Sequence, residues 1–311
     1  MKKLLIPNGM EISEVALGAM NFGTTTSKEE AYEVLDLYLD MGGNFIDTSN
    51  NYAHWAGTGD ESETVLGEWL RDRGCRDKVV LATKVGFDRH GKGAGLKKEQ
   101  IEYWVDQSLR KLGTDYIDLY YAHTDDPLTP IEETMEAFNS LVKKGKVKHL
   151  GSSNFDTWRL AEANMIAERN GLTPYTVMQQ RISYLNPKFA VAPKYVFNEV
   201  VNRERLRFLC DKNMPLVSYA CLCKGAYEVI ENLPDEYDAG ERLNFIRNMA
   251  KEKGVNPSAL VIAWLVNLYR CEGFPRVIPL FSATPEQMKQ NLRGLELTLT
   301  DEELKVMNGI E

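Results

Sequence analysis

Short apolar runs of strand type alternate with amphipathic helical stripes along almost the whole chain, and few architectures accommodate that alternation. The runs cover residues 15–18, 44–46, 79–84, 117–123, 147–150, 176–180, 215–220 and 277–281. Between them, apolar residues recur at helical spacing: Ala31, Val34, Leu35, Tyr38 and Leu39, then Val65, Leu66, Trp69 and Leu70, then Ile101, Trp104, Val105, Leu109 and Leu112. Helix starts are read at Ser27-Lys28-Glu29-Glu30, at Asp60 with Glu63, at Thr129-Pro130-Ile131-Glu132 and at Thr284-Pro285-Glu286-Gln287. Further helices are expected at about 157–169 and 200–212. No Ser/Gly linker interrupts the series, so the pattern predicts an α/β fold, a (β/α)8 TIM barrel forming a single domain over residues 1–311. Pro7-Asn8-Gly9 between Leu4-Leu5-Ile6 and Met10-Glu11-Ile12 predicts an N-terminal β-hairpin. A doubly wound open sheet is the alternative, but no Gly-x-Gly-x-x-Gly follows the first strand.

In a barrel of this kind, chemistry gathers at the C-terminal ends of the strands. The second run passes directly into Asp47-Thr48-Ser49-Asn50-Asn51-Tyr52, the third ends at Lys84 and the fourth at His123. A carboxylate where a buried strand surfaces needs a cationic partner, and Lys84 is the candidate. A phenol ordinarily titrates near ~10, so Tyr52 serves as an acid at neutral pH only with a cation beside its anion. Lys84 can be that cation and Asp47 can hold it charged. His123 can orient a carbonyl oxygen or share its proton. The set contains no strong nucleophile, so electrons must come from elsewhere, and a nicotinamide hydride is the natural donor.

Composition excludes other classes. A net charge of −8 argues against a nucleic-acid binder, and no window approaches the ~18 apolar residues of a membrane helix. The start, Met1-Lys2-Lys3-Leu4-Leu5-Ile6-Pro7, lacks the apolar core of a secretion signal. With five cysteines, an odd number, the expectation is a cytoplasmic protein with free thiols. Cys221 and Cys223 are expected to share one face of a strand, with no nearby His or Cys to complete a zinc set.

Asp47, Tyr52, Lys84 and His123, in this order, resemble the catalytic tetrad of the aldo-keto reductases. The surroundings are similar too: Gly18, Asp60-Glu61-Ser62-Glu63 with Leu66-Gly67, Gly151-Ser152-Ser153-Asn154-Phe155, and Gln287 with Asn291-Leu292. The resemblance runs from about residue 10 to the end. It implies reduction of an aldehyde or ketone to an alcohol with NADP(H), Tyr52 as general acid tuned by Lys84 and Asp47, and His123 positioning the substrate. It further implies that Ser153, Asn154 and Gln179 hold the nicotinamide carboxamide and that Tyr219 stacks on its ring. Ser282, Gln287, Gln290 and Asn291 match the adenosine end. Where many relatives read Ser-Pro-Leu after the seventh strand, this chain has Ala220-Cys221-Leu222, so Leu222 falls among the pyrophosphate contacts. The loop Leu280-Phe281-Ser282-Ala283-Thr284 lacks the basic residue that grips a 2′-phosphate in many relatives. NAD(H) therefore stays open, with Lys224 or Arg293 as stand-ins.

Substrate walls are expected from His54 and Trp55, and from a loop running from Tyr184 through Phe189 to Tyr195 and Phe197. With Asp125 and Asp126 at the rim, a polyhydroxylated carbonyl such as a sugar is one expected substrate. Two other functions compete: a nucleotide-binding regulatory subunit with little turnover, and a metal-dependent barrel hydrolase using Asp47, His54, His123 and Asp125. Lys84 among those ligands would repel a divalent ion.

Overall fold

The computed structural model describes residues 1–87, 94–188, 191 and 199–309. Phe189, Tyr195 and Phe197 of the expected substrate loop lie outside the described residues. Hydrogen bonding orders eight parallel strands into a closed barrel, and a separate two-stranded antiparallel sheet precedes them. The fold expected from the alternating pattern is therefore present. The chain packs as two compact units, Lys2–Met178 and Gln179–Glu311, the second including Met1.

The first unit opens with the hairpin β1 (Lys3–Leu5) and β2 (Glu11–Ser13), paired as Lys3 with Ser13 and Leu5 with Glu11. Gly9, at φ 89°, closes the turn. There follow β3 (Ala16–Gly18), α1 (Lys28–Asp40), β4 (Phe45–Asp47), α2 (Glu61–Arg73), β5 (Val80–Val85), α3 (Lys98–Leu112), β6 (Ile117–Ala122), α4 (Ile131–Lys143), β7 (Val147–Ser153), α5 (Thr157–Arg169) and β8 (Tyr175–Arg181). The last of these crosses into the second unit, which continues with α6 (Arg203–Asp211), β9 (Leu216–Tyr219), α7 (Gly240–Glu252), α8 (Pro257–Asn267), β10 (Val277–Phe281), α9 (Pro285–Leu292) and α10 (Asp301–Gly309).

The stripes read as helical are the buried faces of α1, α2 and α3, with Leu39 and Leu109 at their margins. Strands β4, β5 and β6 are buried almost throughout, as expected of parallel strands covered on both faces. Two helix starts differ from expectation. Asp60 occupies the cap position of α2 without a capping bond, because its carboxylate pairs with Lys111 at 2.8 Å. Helix α4 caps on Pro130 rather than Thr129, since the Thr129 hydroxyl donates to Asp126 at 2.6 Å. Ser27 accepts from the Glu30 amide as expected, and Thr284 with Gln287 forms the full capping box. Cys221 and Cys223 are not on a strand: β9 ends at Tyr219, and the chain then turns through Ala220 at φ 52°.

Helices α2 and α3 meet at Gly67, where an added Cβ would lie 2.1 Å from the Lys111 carbonyl oxygen. Backbone, not a flexible side chain, is in the way. Gly67→Ala is expected to destabilise the protein by about 1–3 kcal/mol through forced separation of the two helices, and chemical denaturation would measure it. An unchanged or raised midpoint would show that the helices are not so tightly apposed.

Candidate active site

In the first unit, neighbouring strands end level with one another. Gly18 pairs with Asp47, Asp47 with Ala82, and Lys84 with Tyr121. Asp47 is the last residue of β4, Lys84 lies one from the end of β5, and His123 follows β6 directly. Asp47 and Lys84 are fully buried. The ammonium of Lys84 donates to Asp47 Oδ1, to the Thr48 carbonyl oxygen at 2.7 Å and to Tyr52 Oη at 2.6 Å. Three acceptors for three N–H groups satisfy the cation completely. Tyr52 Oη in turn donates to Asp47 Oδ1 at 3.0 Å. The three expected partners thus form one closed triangle.

Burial pulls the Lys84 ammonium below its ordinary value, and the charge of Asp47 opposes that pull. Burial, reinforced by the positive Lys84, holds His123 well below the ordinary imidazole range, so its ring is neutral near pH 7. The ring stands edge-on to Phe87 at 4.5 Å and to Tyr52 at 5.9 Å between centroids. Its Nδ1 lies 3.1 Å from Ser49 Oγ. Neither Phe87 nor Ser49 was picked out from sequence, because nothing in their spacing distinguishes them from other loop residues.

A layer behind the triangle fixes its backbone. Ser62 Oγ, on the first turn of α2, donates to the Ala19 carbonyl at 2.7 Å and sits 2.7 Å from Thr48 Oγ1. Glu63 accepts from Thr83 Oγ1 at 2.6 Å. The residues flanking Asp47 and Lys84 are therefore both tied to the same helix.

At the end of β7, Asn154 adopts φ 56° and its amide donates to the His123 carbonyl at 2.9 Å and to Ser153 Oγ at 3.1 Å. The neighbouring Ser152 hydroxyl is buried with no hydrogen-bond partner among the described residues. Left-handed backbone at Asn154 and the orphan Ser152 hydroxyl thus lie two residues apart at the end of β7.

His54 and Trp55 are exposed, with rings 5.2 Å apart, and His54 Nδ1 is engaged with the Asn51 carbonyl at 3.1 Å. Asp125 pairs with Arg159 at 2.9 Å, and Asp126 accepts from Leu96 N, Leu128 N and Thr129 Oγ1. These acids are tied into protein structure. Among the described residues, Asp47, His54, His123 and Asp125 do not come together as a group that could hold a metal ion.

In the second unit, Gln179 is buried in β8 and Tyr219 closes β9 with part of its surface open. Burial raises the Tyr219 phenol, which keeps the ring neutral. Beyond it, Ala220, Cys223 and Lys224 all have positive φ, at 52°, 47° and 56°. Three non-glycine residues in that region within five positions concentrate strain of order 1–3 kcal/mol each. Leu222 and the exposed Lys224 belong to this turn. Around α9, Ser282 is exposed, Gln287 completes the capping box, and Gln290 donates to Glu286 at 2.9 Å. Asn291 is buried and accepts from Asn256 at 3.0 Å, and Arg293 donates to the Gly254 carbonyl at 3.1 Å. Tyr184, expected at a substrate wall, is instead buried against Trp264 with its hydroxyl donating to the Met307 carbonyl.

Residues 14–311 match the family model described as the Aldo/keto reductase family. Among similar proteins, an aldo-keto reductase of Aspergillus calidoustus is 31% identical over 99% of this chain and 81% of its own length. A norsolorinic acid reductase of Emericella nidulans is 32% identical over 95% of the chain and 77% of its own. An aryl-alcohol dehydrogenase of Pestalotiopsis microspora is 29% identical, covering 97% and 80% respectively.

The depressed His123 has a consequence for stability. Below pH 6.5 the unfolded chain takes up a proton there that the folded chain does not, so stability falls as pH drops from about 6.5 toward the lower folded value. His123→Asn is expected to remove up to about 1.4 kcal/mol per pH unit of that slope. Urea unfolding of both proteins between pH 7.5 and 5.5 measures it, and equal slopes would contradict a buried neutral ring.

Proposed function

The chain belongs to the aldo/keto reductase family, an oxidoreductase family that works on carbonyl compounds, and we propose that it reduces an aromatic aldehyde or ketone to the alcohol with NADP(H), with Tyr52 as the proton donor. The observation that carries this is the Asp47–Lys84–Tyr52 triangle. The dinucleotide, when bound, supplies the hydride. The chain's own work is to deliver a proton to the oxygen that gains charge. Tyr52 does so by turning its hydroxyl from Asp47 toward that oxygen. The phenolate left behind lies against the Lys84 ammonium, and unit charges even 4 Å apart attract by about 4 kcal/mol at an effective dielectric of ~20. Asp47 holds the ammonium at that point, so the charge is preorganised rather than recruited.

Ser153 and Asn154 in the first unit, and Gln179 and Tyr219 in the second, are the residues we assign to the nicotinamide. Leu222, Lys224, Ser282, Gln287, Gln290 and Asn291 are assigned to the remainder. The strained turn at Ala220–Lys224 supports the assignment of its neighbours to a pyrophosphate. We take residues 1–311 as one functional barrel domain, since β8 belongs to both compact units. All five cysteines are free thiols, which suits a cytoplasmic setting.

An aromatic substrate is favoured over a sugar because Phe87 and Trp55 are the large apolar groups beside His123 and His54. The acids that would grip sugar hydroxyls are paired or bonded within the protein. The names of the norsolorinic acid reductase and aryl-alcohol dehydrogenase relatives point the same way. A regulatory nucleotide binder would have no need of a complete proton-donating triangle.

Tyr52→Phe is expected to lower carbonyl reduction about 10²–10⁴-fold while dinucleotide affinity survives, and full activity in that variant would end the mechanism. On a panel of aromatic aldehydes and aldoses, kcat/KM should favour the aromatics. A clear preference for aldoses reverses the substrate assignment. Fluorescence titration with NADPH and NADH side by side should show tighter binding of NADPH, and equal dissociation constants would remove the NADP(H) preference.

A further inference from the structure

On the side of β5 away from the triangle lies a second buried carboxylate that the proton transfer from Tyr52 does not use. Successive side chains of a strand face opposite ways, so Lys84 turns toward Asp47 and Tyr52 while Thr83 turns outward to α2. There the Thr83 hydroxyl donates to Glu63 Oε1 at 2.6 Å. Glu63 is fully buried, and its other oxygen lies 2.5 Å from the Lys111 ammonium of α3. This contact is an ion pair without hydrogen-bond alignment. Lys111 also meets the partly exposed Asp60 carboxylate at 2.8 Å. A Cβ at Gly67 would stand 2.1 Å from the Lys111 carbonyl oxygen, so its absence lets α3 come near enough for that lysine to reach the first turn of α2.

Lys84 is thus flanked by carboxylates on both faces of its strand, Asp47 in contact and Glu63 behind the neighbouring residue. Charges buried in this way are screened little by salt. Burial lowers the Lys84 ammonium, and the charges of Asp47 and then Glu63 oppose that pull. Around Lys84 stand Asp47 from β4, Tyr52 from the loop beyond it, the Tyr121 ring of β6 at 5.8 Å, and His123, which is neutral near pH 7. Around Glu63 stand Lys111 of α3 and Tyr120 of β6. Burial, then the charges of Glu63 and Asp106, raise the Tyr120 phenol well above its ordinary range, so it stays protonated and adds no charge. Asp60 and Asp106 lie further out, paired with Lys111 and Lys146. The buried charge behind β5 is therefore that of Glu63, offset by Lys111.

We propose that Glu63 and Lys111 are positioning residues that set the pH at which the coupled Lys84–Tyr52 pair gives up its proton, the carboxylate favouring the ammonium over the phenolate and Lys111 limiting that bias. That this pair drives carbonyl reduction rests on the function proposed above. The proton lost belongs to the pair and not to either group alone. Removing the Glu63 charge makes the phenolate easier to form, so the pair deprotonates at lower pH. Removing the Lys111 charge does the reverse. A purely structural role for the ion pair would give no such opposition, since breaking it from either end disturbs the same contacts.

The direct test needs no substrate. The protein has 14 tyrosines, and ¹³C NMR of tyrosine labelled at Cζ, with Tyr52 assigned through Tyr52→Phe, follows its ionisation with pH. Glu63→Gln keeps an oxygen for Thr83 and leaves Lys111 with Asp60; its midpoint should fall by about half to one pH unit. Lys111→Gln should raise the midpoint by a smaller amount, and Lys111→Arg should leave it in place. Lys111→Gln leaves Glu63 buried without its partner, so a second variant guards against a failure to fold. Glu63→Gln combined with Lys111→Gln strands no charge, and its midpoint should lie above that of Glu63→Gln and near that of the unaltered protein. An unmoved midpoint in Glu63→Gln overturns the proposal, as do shifts of the same sign in the two single variants or a double variant displaced further than Glu63→Gln. The alkaline limb of kcat/KM for an aromatic aldehyde should move in the same order. The expected NMR shifts in a protein that turns over no carbonyl would instead refute the proposed function and leave the coupling standing.

Discussion

The structure of the site depends on one buried cation. Lys84 is enclosed entirely, and its three N–H groups find a carboxylate, a main-chain carbonyl and a phenol. Taking an ammonium and a carboxylate out of water costs several kcal/mol per ion after relaxation, and their attraction repays it only when the remaining hydrogen bonds are complete. Here they are complete, yet well-packed apolar side chains in the same places would serve stability as well or better. On the proposed mechanism, the use of the pair is what it does to Tyr52. That requirement explains the unusual care with which the adjacent backbone is held: Ser62 reaches Thr48, and Glu63 reaches Thr83. One helical turn thereby sets both sides of the ion pair.

The same arrangement accounts for the behaviour of His123. It shares a small buried volume with a cation, and a second positive charge there would be repelled as well as desolvated. A neutral ring follows. Neutrality gives the ring one donor and one acceptor, so its influence on a substrate oxygen is decided by whichever protein group claims one nitrogen. In this chain the group at Nδ1 is the Ser49 hydroxyl, 3.1 Å away.

The barrel was legible because buried strands and one-sided helices leave long-period patterns that survive without coordinates. The placing of Asp47, Lys84 and His123 at strand ends was legible because each sits where an apolar run stops, with Tyr52 five residues beyond the first. Features governed by a distant partner were not. Asp60 and Thr129 have the residue types of helix caps, but Lys111 and Asp126 recruit them instead. Ala220, Cys223 and Lys224 carry left-handed backbone with none of the glycine or asparagine that ordinarily announces it. Tyr184 looked like a pocket wall by being aromatic, whereas its hydroxyl finds the Met307 carbonyl and its ring finds Trp264. Helix α7 does carry a one-sided stripe, Leu243, Ile246, Met249 and Ala250, but α8 carries none. In α8 the run Ala259 to Leu265 is buried all round, and a helix buried on every side has no periodicity to read.

The polar groups of the first unit point to the kind of molecule the site suits. Recognition of a sugar calls for several unpaired acceptors and donors set around the reacting carbon, because each unmatched buried hydroxyl is costly. Asp125 is spent on Arg159, Asp126 on the Leu96 and Leu128 amides and the Thr129 hydroxyl, and Asn51 on Ser49 and His54. Beside these committed groups stand the Phe87 ring packed on His123, an exposed Trp55 next to His54, and the unpartnered Asn50 Nδ2 and Ser152 hydroxyl. On the proposed function, a flat apolar molecule with a single polar group at the reacting end would lose little against such surfaces. Selectivity would then come less from gripping the substrate than from the few polar groups left to match a more polar one.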